Sequence, residues 1–334
     1  MRIEQLDLSE WEAALPAAGF EVFHTPEALR VIDDHTAAEM QLFGGFNGQE
    51  PVALLPTFVK DRSVGRTIMS PPPAMGIPHL GPVLMPNSPK RRKHEQLNQQ
   101  FTEGVLEALD ANSPRTLLRM VCSPSYHDPR PYRWDDFRVS SDFTYHLTVG
   151  DGPLDAVMSS FSRSLRTEIR RLDDLDLTFS VEGIESAKII YDDQVARYAE
   201  QGETFTLSWE YVRDLLLSLG DRCRVYVARD GTGAYLNGII TLYSNDTVYY
   251  WLGGMRASYE NVSVNTLLHW AILKDVAEDP ALSAITTYDM VGANTKRLCD
   301  YKSKFGAHLV PYYVVETNNP LMDVAKTAYN VVKR

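Results

Sequence analysis

The sequence has little cysteine, no long apolar run and fewer basic than acidic residues. Its three cysteines, Cys122, Cys223 and Cys299, are far apart, odd in number and outside any CxxC or Cys/His cluster. That usage argues against a disulfide framework and a metal site, and fits a reducing cytoplasm. No stretch approaches the ~20 apolar residues that a membrane-spanning helix requires. The first residues, MRIEQLDLSEWEAALPAAG, alternate charged and apolar side chains, so no signal peptide is expected. Lysine and arginine number 33 against 44 aspartates and glutamates, a net charge of −11. A surface of that sign disfavours non-specific nucleic-acid binding by the molecule as a whole and leaves room only for local basic patches.

What is present is a chain of 334 residues with an ordinary 44% hydrophobic content. That length exceeds one ordinary compact core and predicts two domains. One plan occurs twice. Residues 39–46 read as a strand, Asn47-Gly48 as a tight turn and 51–59 as the returning strand. Residues 224–229, the turn at Asp230-Gly231, and 234–243 repeat the hairpin, which 247–253 extends by a third strand. A long helix then follows in each half, at 93–109 and at 263–278, and a short strand after it, at 116–121 and 284–288. The expectation is a mixed α/β (α+β) fold of two similar domains, 1–149 and 150–334, each a mostly antiparallel sheet flanked by helices. The junction is placed at residues 150–153, Gly-Asp-Gly-Pro.

Between the repeated units, residues 70–89 are rich in proline and glycine and must be loop. A loop of that length either lines a site or is a plain surface excursion. Residues 155–172 read as one amphipathic helix. Val157, Phe161, Leu165, Ile169 and Leu172 share a face, and Arg163, Arg166 and Arg170 lie opposite. The three guanidiniums either clamp a phosphate or form a solvated face. The helix at 262–277 is apolar nearly all round and predicts deep burial, with His269 as a core residue. The paired glycines before it, Gly253 and Gly254, suit a ligand's close approach or a loose turn.

Residues 281–315 concentrate the chemistry. A short apolar run ends in Tyr288-Asp289, breaks at Gly292, passes Asn294 with helix-capping chemistry and enters a basic helix with Lys296, Arg297, Lys302 and Lys304. A second strand follows at 309–315. Strand, glycine turn, basic helix and strand set a cationic helix beside a strand end, a way to hold an anionic carrier next to a reacting carbonyl.

Several short stretches carry a family resemblance. They are Phe161-Ser-Arg-Ser-Leu-Arg166, the Asp230-Gly231 hairpin, Tyr249-Tyr-Trp-Leu-Gly-Gly254, Asn265-Thr-Leu-Leu-His-Trp270, and Tyr301-Lys302-Ser-Lys304-Phe305-Gly306. With Ala53-Leu-Leu-Pro56 and the Ser70-Pro-Pro-Pro73 loop in a degenerate first unit, nearly the whole chain resembles the GNAT-like acyltransferases of the Fem type. The resemblance implies an enzyme with two GNAT-like domains that moves an acyl or aminoacyl group from an activated carrier to an amine. It implies acyl-CoA or aminoacyl-tRNA as donor, and a small-molecule or cell-envelope precursor as acceptor. Residues 256–261 depart from the ordinary GNAT pattern. They have no glycine where the backbone would approach the CoA pyrophosphate.

Acyl transfer needs an amine freed of its proton, a stabilised oxyanion and a protonated leaving group. The residues expected to serve are Asp289 as base, directly or through water, and Tyr301 as proton donor. Arg163, Arg166, Arg170, Asn294, Lys296, Arg297, Lys302 and Lys304 are expected at phosphates, with the backbone of Gly253 and Gly254 at the acyl group. For each, a structural role stands as the alternative: Asp289 as a turn carboxylate, Tyr301 as a packing residue, the lysines as solvated. No Ser-His-Asp or Cys-His spacing is evident, so attack is expected to be direct. The competing reading is a non-catalytic GNAT-fold protein that binds a phosphate-bearing ligand or RNA.

Overall fold

The computed structural model describes residues 1–63, 65–149, 154–255 and 257–318. The expected junction at 150–153 lies outside the described residues. In the first half, β1 (Arg2–Leu6) leads into α1 (Leu8–Ala14) and α2 (Pro26–His35). Asp7 and Glu10 form a reciprocal capping box at α1, and Thr25 with Pro26 starts α2. The hairpin β2 (Glu39–Asn47) and β3 (Glu50–Arg62) turns at Gly48, whose φ of +65° suits glycine. Then come β4 (Gly65–Ser70), β5 (Val83–Leu84), α3 (Arg91–Ala108), β6 (Thr116–Val121), α4 (Arg130–Trp134) and β7 (Arg138–Thr148).

The second half opens with α5 (Leu154–Ser160) and α6 (Arg163–Arg170). The single helix expected over 155–172 is broken between them. Ser162 caps α6, and its backbone N–H is drawn out to the Lys304 carbonyl at 2.7 Å. Next are β8 (Leu177–Glu182), α7 (Ile184–Glu200), α8 (Trp209–Leu219), β9 (Cys223–Asp230), β10 (Tyr235–Tyr243) and β11 (Thr247–Gly253). The two-strand ribbon β12 (Ser258–Tyr259) and β13 (Val262–Ser263) precedes α9 (Val264–Glu278). The chain continues through β14 (Thr287–Asp289), α10 (Lys296–Lys302) and β15 (His308–Glu316). Both repeated units therefore follow the expected order of hairpin, helix and strand. The strand at 284–288 starts later, because residues 280–282 form a 3₁₀ turn.

Both halves share one sheet of 13 strands, in the order β1-β2-β3-β4-β6-β15-β7-β14-β11-β10-β9-β8, with β5 beside β3. The halves interleave at its centre. β15, late in the chain, pairs with β6 and β7, while β7 pairs with β14. One hydrophobic cluster spans both halves. It packs Trp11, Leu29 and Ile32 with Val212, Leu215 and Trp251. A second surrounds α9 with Phe161, Leu165 and Ile169 from the α5–α6 region and with Tyr288 and Phe305. The proline-rich loop folds inward: Gly76 O accepts a bond of 2.8 Å from the Trp251 indole, and His79 is buried against Tyr312.

Burial also leaves several imidazoles neutral. It lowers His24 and His79 to about 4, and His269 to about 3 with the charge of Lys302 adding to the effect. Each must pick up a proton on unfolding below its ordinary value of 6.5, so its contribution is present above that pH and is lost as pH falls. Glu21, lifted by burial to about 7, works in the opposite direction between there and 4.5. Three imidazoles less one carboxyl leave a net uptake of about two protons, or ~3 kcal/mol of stability lost per pH unit at the steepest. The melting temperature should therefore drop between about pH 6.5 and about pH 5, as followed by calorimetry. A flat profile would contradict this burial pattern.

Candidate active site at a parting of two strands

β11 and β14 run parallel, but only from Thr247 to Tyr249 and from Thr287 to Asp289. Beyond that rung they part. β11 continues along β10 to Gly253, while residues 290–293 follow β7, with Met290 N bonded to Tyr145 O and Ala293 N to Phe143 O, both at 2.9 Å. Val291 is bent into the left-handed region (φ +49°), a conformation that costs a β-branched residue energy and collects at functional sites.

Lys302, at the end of α10, reaches into this parting. Its side chain is 3% exposed, its Nζ donates to the carbonyls of Val291 and of Gly292 (2.9 Å), and it lies 5.7 Å from the Tyr250 ring centroid. Burial lowers its pKa to about 8, against the pull of Asp289. It remains cationic at neutral pH in a place of low polarity, where a charge acts strongly.

On this face lies a cleft of about 710 Å³, lined among others by Tyr250, Gly254, Asn265, Arg297, Tyr301, Lys302 and Lys304. The Tyr301 hydroxyl accepts a 2.9 Å bond from Asn265 Nδ2, and burial raises its pKa, so it keeps its proton. A Cβ at Gly254 would lie 2.5 Å from Asn237 Oδ1, so a larger residue here would have to displace that amide. Asn237 is itself fully buried, and neither its Oδ1 nor its Nδ2 has a hydrogen-bond partner among the described residues.

The opposite face of the same rung carries a second cavity of about 270 Å³. Adjacent strand residues point to opposite faces, so Tyr249 lines this cavity and Tyr250 the cleft. Asp289 forms part of its wall and is 1% exposed. Its Oδ1 accepts from the Thr144 hydroxyl (2.5 Å) and from Val291 N–H (2.8 Å); its Oδ2 faces His146 Nε2 at 3.4 Å and His79 Nδ1 at 3.9 Å. Burial alone would raise this carboxyl, but His146, His79 and Thr144 together hold it below its ordinary value. For His146 the balance has the same result: burial opposes its charge, yet Asp289 raises its pKa.

The residues expected from sequence divide between places. Arg297, Tyr301, Lys302, Lys304 and Gly254 come together in the cleft, with Gly253 adjacent on β11. Asp289 lies across the sheet from them. The side chains of Arg163, Arg166 and Arg170 are not among the cleft's lining. They sit on α6, whose first turn abuts the end of α10 through the Ser162–Lys304 backbone bond. Lys296 pairs with Asp300 at 2.6 Å. Asn294 does not cap α10. Thr295 holds that position without a side-chain bond, because the Asn294 amide is taken up by Phe143 N (2.8 Å) and the Tyr312 hydroxyl (3.2 Å).

Sequence reading missed Glu21, Ser123, His79 and His146. Of these only Glu21 carried a signal, a lone charge inside the apolar run Phe20-Glu-Val-Phe23. The others converge from strands and loops far apart in the chain.

Comparison with known proteins places this geometry. Residues 159–303 match the acetyltransferase (GNAT) domain family. Comparison with curated proteins yields no match in sequence. Among solved structures, FemX is similar with a TM-score of 0.67 and 10% identity, over 94% of this chain and 97% of that one. The C-terminal domain of a putative lysylphosphatidylglycerol synthetase from Agrobacterium fabrum has a TM-score of 0.55 and 13% identity, over 97% and 96% of the two chains. A tandem GNAT protein from the clavulanic acid biosynthesis pathway has a TM-score of 0.50 and 14% identity, over 94% and 97%. At such identities the likeness is one of fold. Residues 159–303 thus match a GNAT acetyltransferase domain, and the chain as a whole has a fold like that of FemX and the tandem GNAT protein.

Proposed function

We propose that the protein transfers an acyl or aminoacyl group to an amine at the parting of β11 and β14, with the carrier in the Tyr250 cleft and the amine arriving from the Asp289 cavity. The observation that supports this best is the buried ammonium of Lys302 between the parted strands. Attack on a carbonyl there builds negative charge on its oxygen, and a desolvated cation already in place stabilises that charge without reorganising. Tyr301, protonated at neutral pH and lining the cleft, hands a proton to the leaving group. Asp289 was expected from sequence as the base. Its depressed pKa makes it a weak one, and its proposed part is to hold His146 and keep the cavity negative.

The loop before α9 bears on the donor. In place of free amides at the helix start it forms the β12–β13 ribbon, and the Ser263 hydroxyl caps α9 by accepting from Thr266 N at 3.3 Å. That leaves little for a pyrophosphate to bind at the helix N-terminus. Arg297, Lys302 and Lys304 instead line the cleft, an arrangement suited to an acidic carrier such as aminoacyl-tRNA. FemX and the lysylphosphatidylglycerol synthetase domain share this fold, and an acceptor from the cell envelope fits that company.

Two outcomes are expected. In thermal shift, aminoacyl-tRNA at 100 times its dissociation constant should stabilise the chain by ~2.7 kcal/mol, and acetyl-CoA at matched concentration by less. Equal or greater stabilisation by acetyl-CoA would reverse the choice of donor. Lys302→Met should lower kcat by roughly 10²- to 10³-fold with a smaller change in KM. The wild type should lose activity as pH rises past about 8, where the ammonium gives up its charge. Undiminished turnover in a folded Lys302→Met protein would sink the assignment.

A further inference from the structure

The cavity on the Asp289 face has its own chemistry. Its floor is buried and its mouth open. Glu21, Tyr249 and Asp289 are buried, whereas Gly19, Ser125 and His127 are exposed at the rim. Three carboxylates, Glu21, Asp246 and Asp289, line a space of about 270 Å³ together with the imidazoles of His127 and His146, and among the described residues no lysine or arginine lines it. A cavity of that lining draws in a cation of modest size and repels an anion.

Glu21 is the unusual member. It is 5% exposed, and burial is the largest influence on its carboxyl. Its backbone is fixed, since its N–H donates to His24 Nδ1 at 3.0 Å while His24 Nε2 holds the Gly81 carbonyl at 3.1 Å. Its Oε1 accepts from the Ser123 hydroxyl at 2.5 Å, and Ser123 Oγ also meets Ser125 Oγ at 2.9 Å. The groups acting on its carboxyl are Ser123, Tyr249, Asp289 and His146. Tyr249 is paired with Asp289 on the last rung before the strands part. Glu21 therefore lies beside the last rung before the strands part. A second observation concerns the wall itself: His146, which lines the cavity, has a buried Nε2 with no hydrogen bond among the described residues, 3.4 Å from Asp289 Oδ2.

We propose that this cavity is the amine subsite, that it takes the terminus of a primary alkylammonium, and that Glu21 is the base that frees it. The inference rests on the acyltransferase reading of the preceding section. The ammonium binds against the carboxylates and gives one proton to the Glu21 carboxylate. The neutral nitrogen then forms a bond to the carbonyl carbon as the bond from that carbon to the carrier breaks. The carrier leaves with the proton of Tyr301, which the amine's second proton replaces, so an amide, a protonated carrier and a protonated Glu21 result. Burial sets Glu21 near 7, which suits this task better than the low value of Asp289.

The test needs no acyl donor. n-Butylammonium, cadaverine and acetate are titrated into the full chain by calorimetry between about pH 6 and about pH 8.5. Both ammonium probes should bind and acetate should not, with affinity rising as pH passes about 7 and Glu21 ionises. Glu21→Gln should weaken cadaverine roughly 10- to 100-fold and remove most of that rise. His146 also faces the site, and any small remainder of the rise belongs to it. Ser123→Ala removes a bond that favours the ionised carboxyl, so it should shift the rise to higher pH, an effect that loss of packing alone does not produce. Acetate binding as well as the amines, failure of both amines to bind, or wild-type affinity and pH midpoint in Glu21→Gln would each overturn the proposal. The Lys302 result concerns the other face and would stand or fall separately.

Discussion

The parting of β11 from β14 after three paired residues is the constraint on which the site depends. A continuous sheet at this point would satisfy its own backbone and leave nothing for a ligand. Because the strands separate, the inner edge of β11 lacks a strand partner beyond Tyr249 among the described residues, and the carbonyls of Val291 and Gly292 accept from Lys302. Lys302 meets those carbonyls. The lysine is thus both a structural plug and a poised charge, and its depressed pKa reflects the cost of holding it there.

Charge is distributed unequally across this gap. On the α10 face lie Lys302, Lys304 and Arg297, with a tyrosine that keeps its proton. On the other face lie Glu21, Asp246 and Asp289. An amine that must lose protons and a carbonyl oxygen that must gain negative charge want opposite environments. In the proposed reaction one sheet supplies both, on its two faces beside the rung of Tyr249 and Asp289. The two halves of the chain are needed for this, since Glu21, His79 and Ser123 come from the first and β11, β14 and α10 from the second.

The interleaving of β7 and β15 secures that arrangement. β15 brings the late part of the chain back between strands of the first half, and β7 carries His146 and Thr144 to Asp289. The core spanning α1, α2 and α8 binds the halves on the other side of the sheet, aided by the His35–Asp214 pair at 2.9 Å.

Local pattern carried much of the fold. Alternation and turn chemistry marked the hairpins at Asn47-Gly48 and Asp230-Gly231, and apolar periodicity marked α3 and α9, because those signals arise from neighbours in the chain. The residues of the spaced motifs around Tyr250, Gly254 and Lys302 come together along one cleft. By itself, the sequence determined the elements, their repeated order and the cationic helix after Asp289. Only the tertiary structure decided that the helix at 155–172 breaks, that Asn294 serves β7 and Tyr312 instead of a helix, and that Lys302 is buried. It alone gathered Glu21, Ser123, His146 and Asp289 around one cavity. The physical reason is that burial, and with it the shift of each acid and base, depends on which distant segments pack together, and no local spacing encodes that.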